Sequence, residues 1–154
     1  MPENRLVIEL SMATGLRVSD CLAIRTEQLI GASARRITVK EQKTNKTRRV
    51  YIPKGLYDRL VKSAGRVYLF EHRTDYKKHR TRQAVWKDVK RAAQALRIEE
   101  NFTPHSARKI YAVDLFEKTG DIEKVSAALK HSSVTVTMIY AMANHIDRIR
   151  GKKK

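Results

Sequence analysis

The hydrophobic period of the chain changes at one place, and that change sets the fold class. Residues Arg35 to Glu41 read Arg-Arg-Ile-Thr-Val-Lys-Glu, and Arg48 to Ile52 read Arg-Arg-Val-Tyr-Ile, closed by Pro53. Both stretches alternate apolar and polar residues with the period of two of a half-buried strand, and the residues between them are polar. They predict one antiparallel β-hairpin with a basic tip. On either side the spacing is helical. Leu6, Val7, Leu10 and Ala13 predict a helix over about residues 4–14, with Gly15 as its stop. Val85, Val89, Ala92 and Leu96 predict a long helix capped by Thr81, with Trp86 and Ala93 widening its apolar stripe and Trp86 in the core. The expected fold is mainly α with a small antiparallel β-hairpin, an α+β arrangement.

The remaining punctuation fills in the order of elements. Ser19 and Asp20 open a second, short helix through Leu22, Ala23 and Ile24, which leaves Arg17 on a corner between two helices. Residues 55–62 predict a further helix, Val67 to Phe70 a short strand, and 71–80 a loop. Thr103-Pro104 is a helix start, threonine as cap and proline at the first helical position, which puts His105 in the first turn and Arg108 one turn later. Gly120 closes that helix and Asp121 caps the next, through Val125 and Ala128. The stretch Ser133 to Tyr140 is rich in β-branched residues, and propensity alone reads it as a strand. A chain of 154 residues suits a single domain with one real core.

Charge narrows the class of partner. Lysine and arginine total 33 against 16 acidic residues, a net charge of +17. The basic residues are spread: Lys43 to Arg49, Lys77 to Arg80, Lys87 to Arg91 and the three terminal lysines. A distributed excess of this size suits a broad surface that tracks phosphates, so nucleic acid is the expected partner, with a merely solvated basic surface as the plain alternative. A membrane role is not expected, since no segment approaches the roughly 20 apolar residues of a spanning helix. The first residues lack the apolar core of a signal peptide. Cys21 is the sole cysteine, which excludes an intrachain disulfide and a cysteine-based zinc site and fits a reducing intracellular setting. His72, His79 and His145 lack metal-ligand spacing and are expected at the surface.

Arg17, Lys43, His105, Arg108, His131 and Tyr140 carry the chemistry as a set. Singly each has a plain reading: Arg17 and Lys43 as surface charges, His105 as a capping or exposed histidine, Tyr140 as a half-buried core tyrosine. Together they supply what a tyrosine needs to attack a phosphodiester. An unperturbed phenol is about one part in a thousand ionised at pH 7, a deficit of about 4 kcal/mol. Nearby cations reduce it. Two guanidiniums can hold the charge that gathers on the non-bridging oxygens, and a lysine on a mobile hairpin can protonate the leaving oxygen.

Four stretches carry a resemblance: Thr14-Gly15-Leu16-Arg17-Val18-Ser19-Asp20, His105-Ser106-Ala107-Arg108, Leu129-Lys130-His131-Ser132-Ser133 and Thr137-Met138-Ile139-Tyr140. They resemble the catalytic domain of the tyrosine recombinase (phage integrase) family, over nearly the whole chain. The resemblance implies Tyr140 as nucleophile forming a 3′-phosphotyrosyl bond, Arg17 and Arg108 as phosphate clamp, and Lys43 as general acid, with Lys46 its rival at the hairpin tip. It implies His105 as general acid/base or phosphate ligand and His131 as a phosphate hydrogen-bond donor, with no cofactor, ATP or metal. It also implies that Tyr140 lies on a short helix in spite of its β-branched neighbours; Asp20 is either a helix-start acid only or, as an acidic residue here often is in the family, a support for the first arginine. Tyr111, one turn after Arg108, is the other tyrosine weighed as nucleophile and is expected beneath the site.

Double-stranded DNA is the implied partner, bound by a monomer that becomes a tetramer on DNA, in the cytoplasm at the nucleoid of a bacterium or phage host. Relatives usually carry an N-terminal clamp domain. Residues 1–154 are expected to be a single catalytic domain without one, with a tail over about 141–154: either a fragment, or a compact form in which an accessory or clamp protein or the basic surface itself would hold the DNA. A type IB topoisomerase shares the tyrosine, arginines and lysine but usually lacks a histidine three residues before the second arginine, so His105 favours recombination. A DNA-binding regulatory module that kept the fold is the remaining alternative.

Overall fold

The computed structural model describes residues 2–97 and 103–129. His131, Tyr140, the β-branched stretch 133–140 and the tail 141–154 lie outside the described residues. Within them the chain forms α1 (Pro2–Thr14), α2 (Val18–Leu22), α3 (Thr26–Ile30), β1 (Arg36–Lys40), β2 (Thr47–Tyr51), α4 (Lys54–Ser63), α5 (Arg82–Ala95), α6 (Pro104–Thr119) and α7 (Ile122–Leu129). The two strands pair antiparallel, with Ile37 opposite Val50 and Val39 opposite Arg48. The expected α+β arrangement is what forms.

Helix α1 is the hub and packs against α2, α4, α5 and α6. Its Val7 and Leu10 are fully buried, in one cluster with Leu16, Leu22 and Ile24 after the first corner, Ile37, Val39, Val50 and Ile52 of the hairpin, Leu60 of α4 and Val85 of α5. A second, smaller cluster joins Ala112 of α6 to Val125 and Leu129 of α7. The helix ends follow their sequence signals. Thr81 Oγ1 accepts from the Ala84 N–H at 3.2 Å, Gly120 closes α6 at φ 62°, and Asp121 Oδ1 accepts from the N–H groups of Glu123 and Lys124.

Three expectations need correcting. Val67 to Phe70 is not a strand: it makes one isolated bridge, Tyr68 with Arg25. The Leu69 N–H donates to Ile24 O at 2.9 Å, so Leu69 and Phe70 are buried by a loop contact without a ladder. Helix α3 has no counterpart among the expected elements. Its five residues span too few turns to show a period, and it is fixed from outside: Thr26 Oγ1 donates to Gly65 O at 2.6 Å and the Tyr57 hydroxyl to Leu29 O at 2.9 Å. Helix α5 buries a narrower face than its apolar residues suggest. Val85, Val89 and Ala93 turn inward at four-residue intervals, whereas Ala92 is exposed, Leu96 is 71% exposed and Trp86, expected in the core, is 48% exposed. Among the described residues no helix is long and apolar enough to cross a membrane.

Candidate active site

The corner between α1 and α2 places Arg17. Thr14 ends α1, Gly15 adopts φ 68° with its N–H on Ser11 O, and Ser11 Oγ donates to Leu16 O at 2.7 Å. A side chain at Gly15 is excluded twice, by the positive φ and because a Cβ there would lie 2.5 Å from the Tyr111 ring. Tyr111 therefore forms the half-buried wall behind the corner, as expected for a residue beneath the site. Arg17, extended at φ −67° and ψ 150°, is then the cap residue of α2.

The hairpin reaches the same place from the other side. Asn45, at φ 55°, takes the left-handed conformation that asparagine tolerates and closes the turn between β1 and β2, which carries Lys43. Arg17, Lys43, Arg82 and Trp86, with Ser19 and Thr103, line a cavity of about 760 Å³. Lys46 does not line it. Thr103 caps α6, and its N–H donates to Ser106 Oγ at 3.0 Å. The first turn of α6, whose backbone includes His105, therefore begins at the cavity edge.

Two carboxylates hold the arginines, Asp20, which the family resemblance pointed to, and Glu41, which the sequence reading passed over. Asp20 and Glu41 are both fully buried. Asp20 Oδ1 accepts from the Gln42 N–H at 2.9 Å, and its Oδ2 lies 3.8 Å from Arg17 Nη1. It supports the first arginine and anchors the hairpin turn as well. Glu41 Oε2 accepts from Arg17 Nη1 at 3.1 Å and from Thr44 Oγ1 at 2.9 Å, while Oε1 lies 3.7 Å from Arg48 Nη1. Burial pushes the Glu41 carboxyl pKa up, but the hydrogen bonds from Thr44 and Arg17 and the charges of Arg17 and Arg48 outweigh it and hold the group below its ordinary value of 4.5. Glu41 and Arg48 were legible in principle: Ile37, Val39 and Glu41 share one strand parity, Arg48, Val50 and Ile52 another, and both parities face inward.

Arg108 comes to the cluster from α6. It is 7% exposed, Nη2 donates to Leu129 O at the end of α7, and Nη1 is buried with no hydrogen-bond partner among the described residues. Burial, then the charge of Arg17, lowers its pKa to about 10, so it stays protonated at neutral pH. Three guanidiniums, Arg17, Arg48 and Arg108, thus interact with two carboxylates, Asp20 and Glu41. Of the six sequence-selected residues, Arg17, Lys43 and Arg108 are brought to one region, and His105 lies on α6 between cap and Arg108. His131 and Tyr140 lie outside the described residues.

Burial raises the Cys21 thiol pKa and leaves it inert. Among the described residues no group of three or more His, Cys, Asp or Glu is placed to hold a metal ion. His79, expected at the surface, is half-buried with its ring against that of Tyr68, centroids 5.3 Å apart.

The family model for the phage integrase family matches residues 2–146. The chain belongs to the phage integrase family. It is 32% identical over 152 residues to the tyrosine recombinase XerD of Lacticaseibacillus casei, covering 89% of this chain and 49% of that protein. It is 31% identical over 143 residues to the tyrosine recombinase XerA of Pyrococcus furiosus, again 89% of this chain and 49% of the relative. The chain thus spans about half the length of the curated relatives it matches. Among solved structures, the catalytic domain of bacteriophage HP1 integrase matches at TM-score 0.64 and 25% identity, over 89% of this chain and 73% of that one. The XerH site-specific recombinase, bound to palindromic difH substrate in a post-cleavage complex, shares the fold at TM-score 0.73 and 23% identity, over 90% of this chain and 41% of the other.

Proposed function

We propose that residues 1–154 form the catalytic domain of a site-specific DNA recombinase that cleaves and rejoins strands through a 3′-phosphotyrosyl intermediate. The observation that carries this reading is the arginine pair, Arg108 buried and Arg17 half-buried. Arg17 and Arg108 are held within electrostatic reach of one another, Arg108 with an Nη1 that has no hydrogen-bond partner among the described residues, at a cluster where the described cations outnumber the described acids. Like charges held together in a low-dielectric site are costly unless an anion completes them, and a scissile phosphate presents the paired oxygens that guanidinium forks fit.

In the reaction, the Tyr140 oxygen attacks phosphorus and the bond to the 5′ oxygen breaks. Arg17 and Arg108 take the charge on the non-bridging oxygens, and Lys43 protonates the leaving 5′ oxygen. Lys43 is assigned this role over Lys46 because it lines the Arg17 cavity. His105 serves as acid/base or phosphate ligand, and His131 orients the phosphate. The bond energy is kept in the covalent intermediate, so the 5′ hydroxyl of another strand can reverse the step without ATP. On this reading the protein works on duplex DNA at the nucleoid, as a tetramer when bound, with an accessory or clamp protein, or a further part of a longer chain, adding grip.

The test uses nicked suicide duplexes, selected by binding from a randomised pool, which trap a covalent adduct. The native chain forms it. Arg17→Ala and Arg108→Ala bind the same duplex yet lose about 100-fold or more in adduct rate, the scale of removing one donor to a transition-state oxyanion. Binding without adduct in the native chain would leave a DNA-binding module instead.

A further inference from the structure

We propose that Glu41 is a positioning residue that locks the Lys43 turn to Arg17, so that the proton donor and the phosphate clamp of the proposed reaction meet at one phosphodiester. This rests on the recombinase reading above. Glu41 follows β1 with its carboxylate fully buried. A single atom, Oε2, joins the two parts: it accepts from Arg17 Nη1 on the α1–α2 corner at 3.1 Å and from Thr44 Oγ1, the residue after Lys43, at 2.9 Å.

The backbone of the same residue closes the turn. The Glu41 N–H donates to Lys46 O and its carbonyl accepts from the Asn45 N–H, both at 2.9 Å. Asp20 Oδ1 grips the Gln42 N–H from the α2 side. The turn that carries Lys43 is therefore held at its base, at Gln42 and at Thr44, and Glu41 supplies two of those holds. Closing a hairpin needs only the backbone pair. The buried carboxylate is a costly extra, and besides facing Arg48 through Oε1 it adds the link between Thr44 and Arg17.

That link matters because the Lys43 side chain is exposed on a tip and reaches its target through a flexible four-carbon stem. A general acid works only within hydrogen-bond reach of the oxygen it protonates. If Glu41 acts chiefly by placing Lys43, with Arg17 still held by Asp20, its loss harms most the reactions whose leaving group needs a proton.

Sulfur substitution at the scissile 5′ bridging position makes that distinction. A thiol has a pKa of about 8.5, and its thiolate leaves without protonation. Adduct formation is measured on matched oxygen and sulfur suicide duplexes, with Lys43→Ala as the reference pattern. Glu41→Ala is expected to slow the oxygen substrate about 100-fold. On the sulfur substrate it is expected to come within roughly threefold of the native rate, since no proton donor is needed there. Thr44→Val cuts the link without stranding a buried charge and is expected to show the same sulfur-selective recovery with a smaller loss. It decides the matter alone if circular dichroism shows that Glu41→Ala is unfolded. A folded variant that keeps the native rate on oxygen, or loses as much on sulfur as on oxygen, overturns the proposal. A native chain that binds both duplexes and cleaves neither overturns the recombinase reading itself, which is a separate result.

Discussion

At the scale of single residues, the site is an arrangement of buried charges. Glu41 holds its proton less tightly in the folded chain than in the unfolded one, so its contribution to stability is present above about pH 4.5 and is lost as pH falls through its lowered native value. The urea midpoint of the native protein should therefore fall between about pH 5 and pH 3 more steeply than that of Glu41→Gln. Parallel curves for the two proteins would show that the carboxyl is not perturbed by Arg17 and Arg48. Arg108 follows the opposite logic: burial and Arg17 disfavour its charge, yet a pKa of about 10 keeps it protonated at neutral pH. Sequence reading found Arg17 and Arg108 but passed over Glu41 and Arg48. In a hairpin so rich in charge, a buried Glu–Arg pair looks like more solvated surface unless strand parity is followed to the last residue. Trp86 failed in the opposite direction, since an apolar residue beside a stripe need not face the core.

At the scale of elements, the α1–α2 corner is the part most sensitive to change. Gly15→Ala forces a Cβ into a positive-φ site and into the Tyr111 ring. It should cost about 2–4 kcal/mol in denaturant unfolding, as strain and overpacking add. A loss of only about 1 kcal/mol, the low end of the strain from φ alone, would mean that Tyr111 swings away freely. The corner, the hairpin and the capped helices were legible because each carries a local signal: a glycine stop, a period of two, a threonine followed by proline. Helix α3 and the segment around Leu69 were not. Their conformations come from partners far along the chain, Gly65 and Tyr57 for α3 and Ile24 for Leu69, and no window of neighbouring residues records those contacts. The buried face of α5 was only half legible, because the spacing of Val85, Val89, Ala92 and Leu96 shows a stripe but not which part of it α1 covers.

At the scale of the whole molecule, the net charge of +17 suits attraction to a polyanion such as the proposed duplex DNA. If the basic surface neutralises roughly six to ten phosphates, log K for duplex binding should fall against log salt with a slope of about −5 to −9. A slope near zero would separate the charge from DNA binding. Charge explains attraction and leaves the chemistry to the cluster around Arg17, which is why a binding isotherm cannot replace a covalent readout. The proposed mechanism stands or falls on which atom of the protein becomes joined to DNA. Adduct trapped on a suicide duplex, digested with nuclease and protease and sequenced by mass spectrometry, should carry its nucleotide on Tyr140 through a 3′ phosphate, and Tyr140→Phe should form none. Nucleotide on Tyr111, or an adduct that persists in Tyr140→Phe, contradicts it.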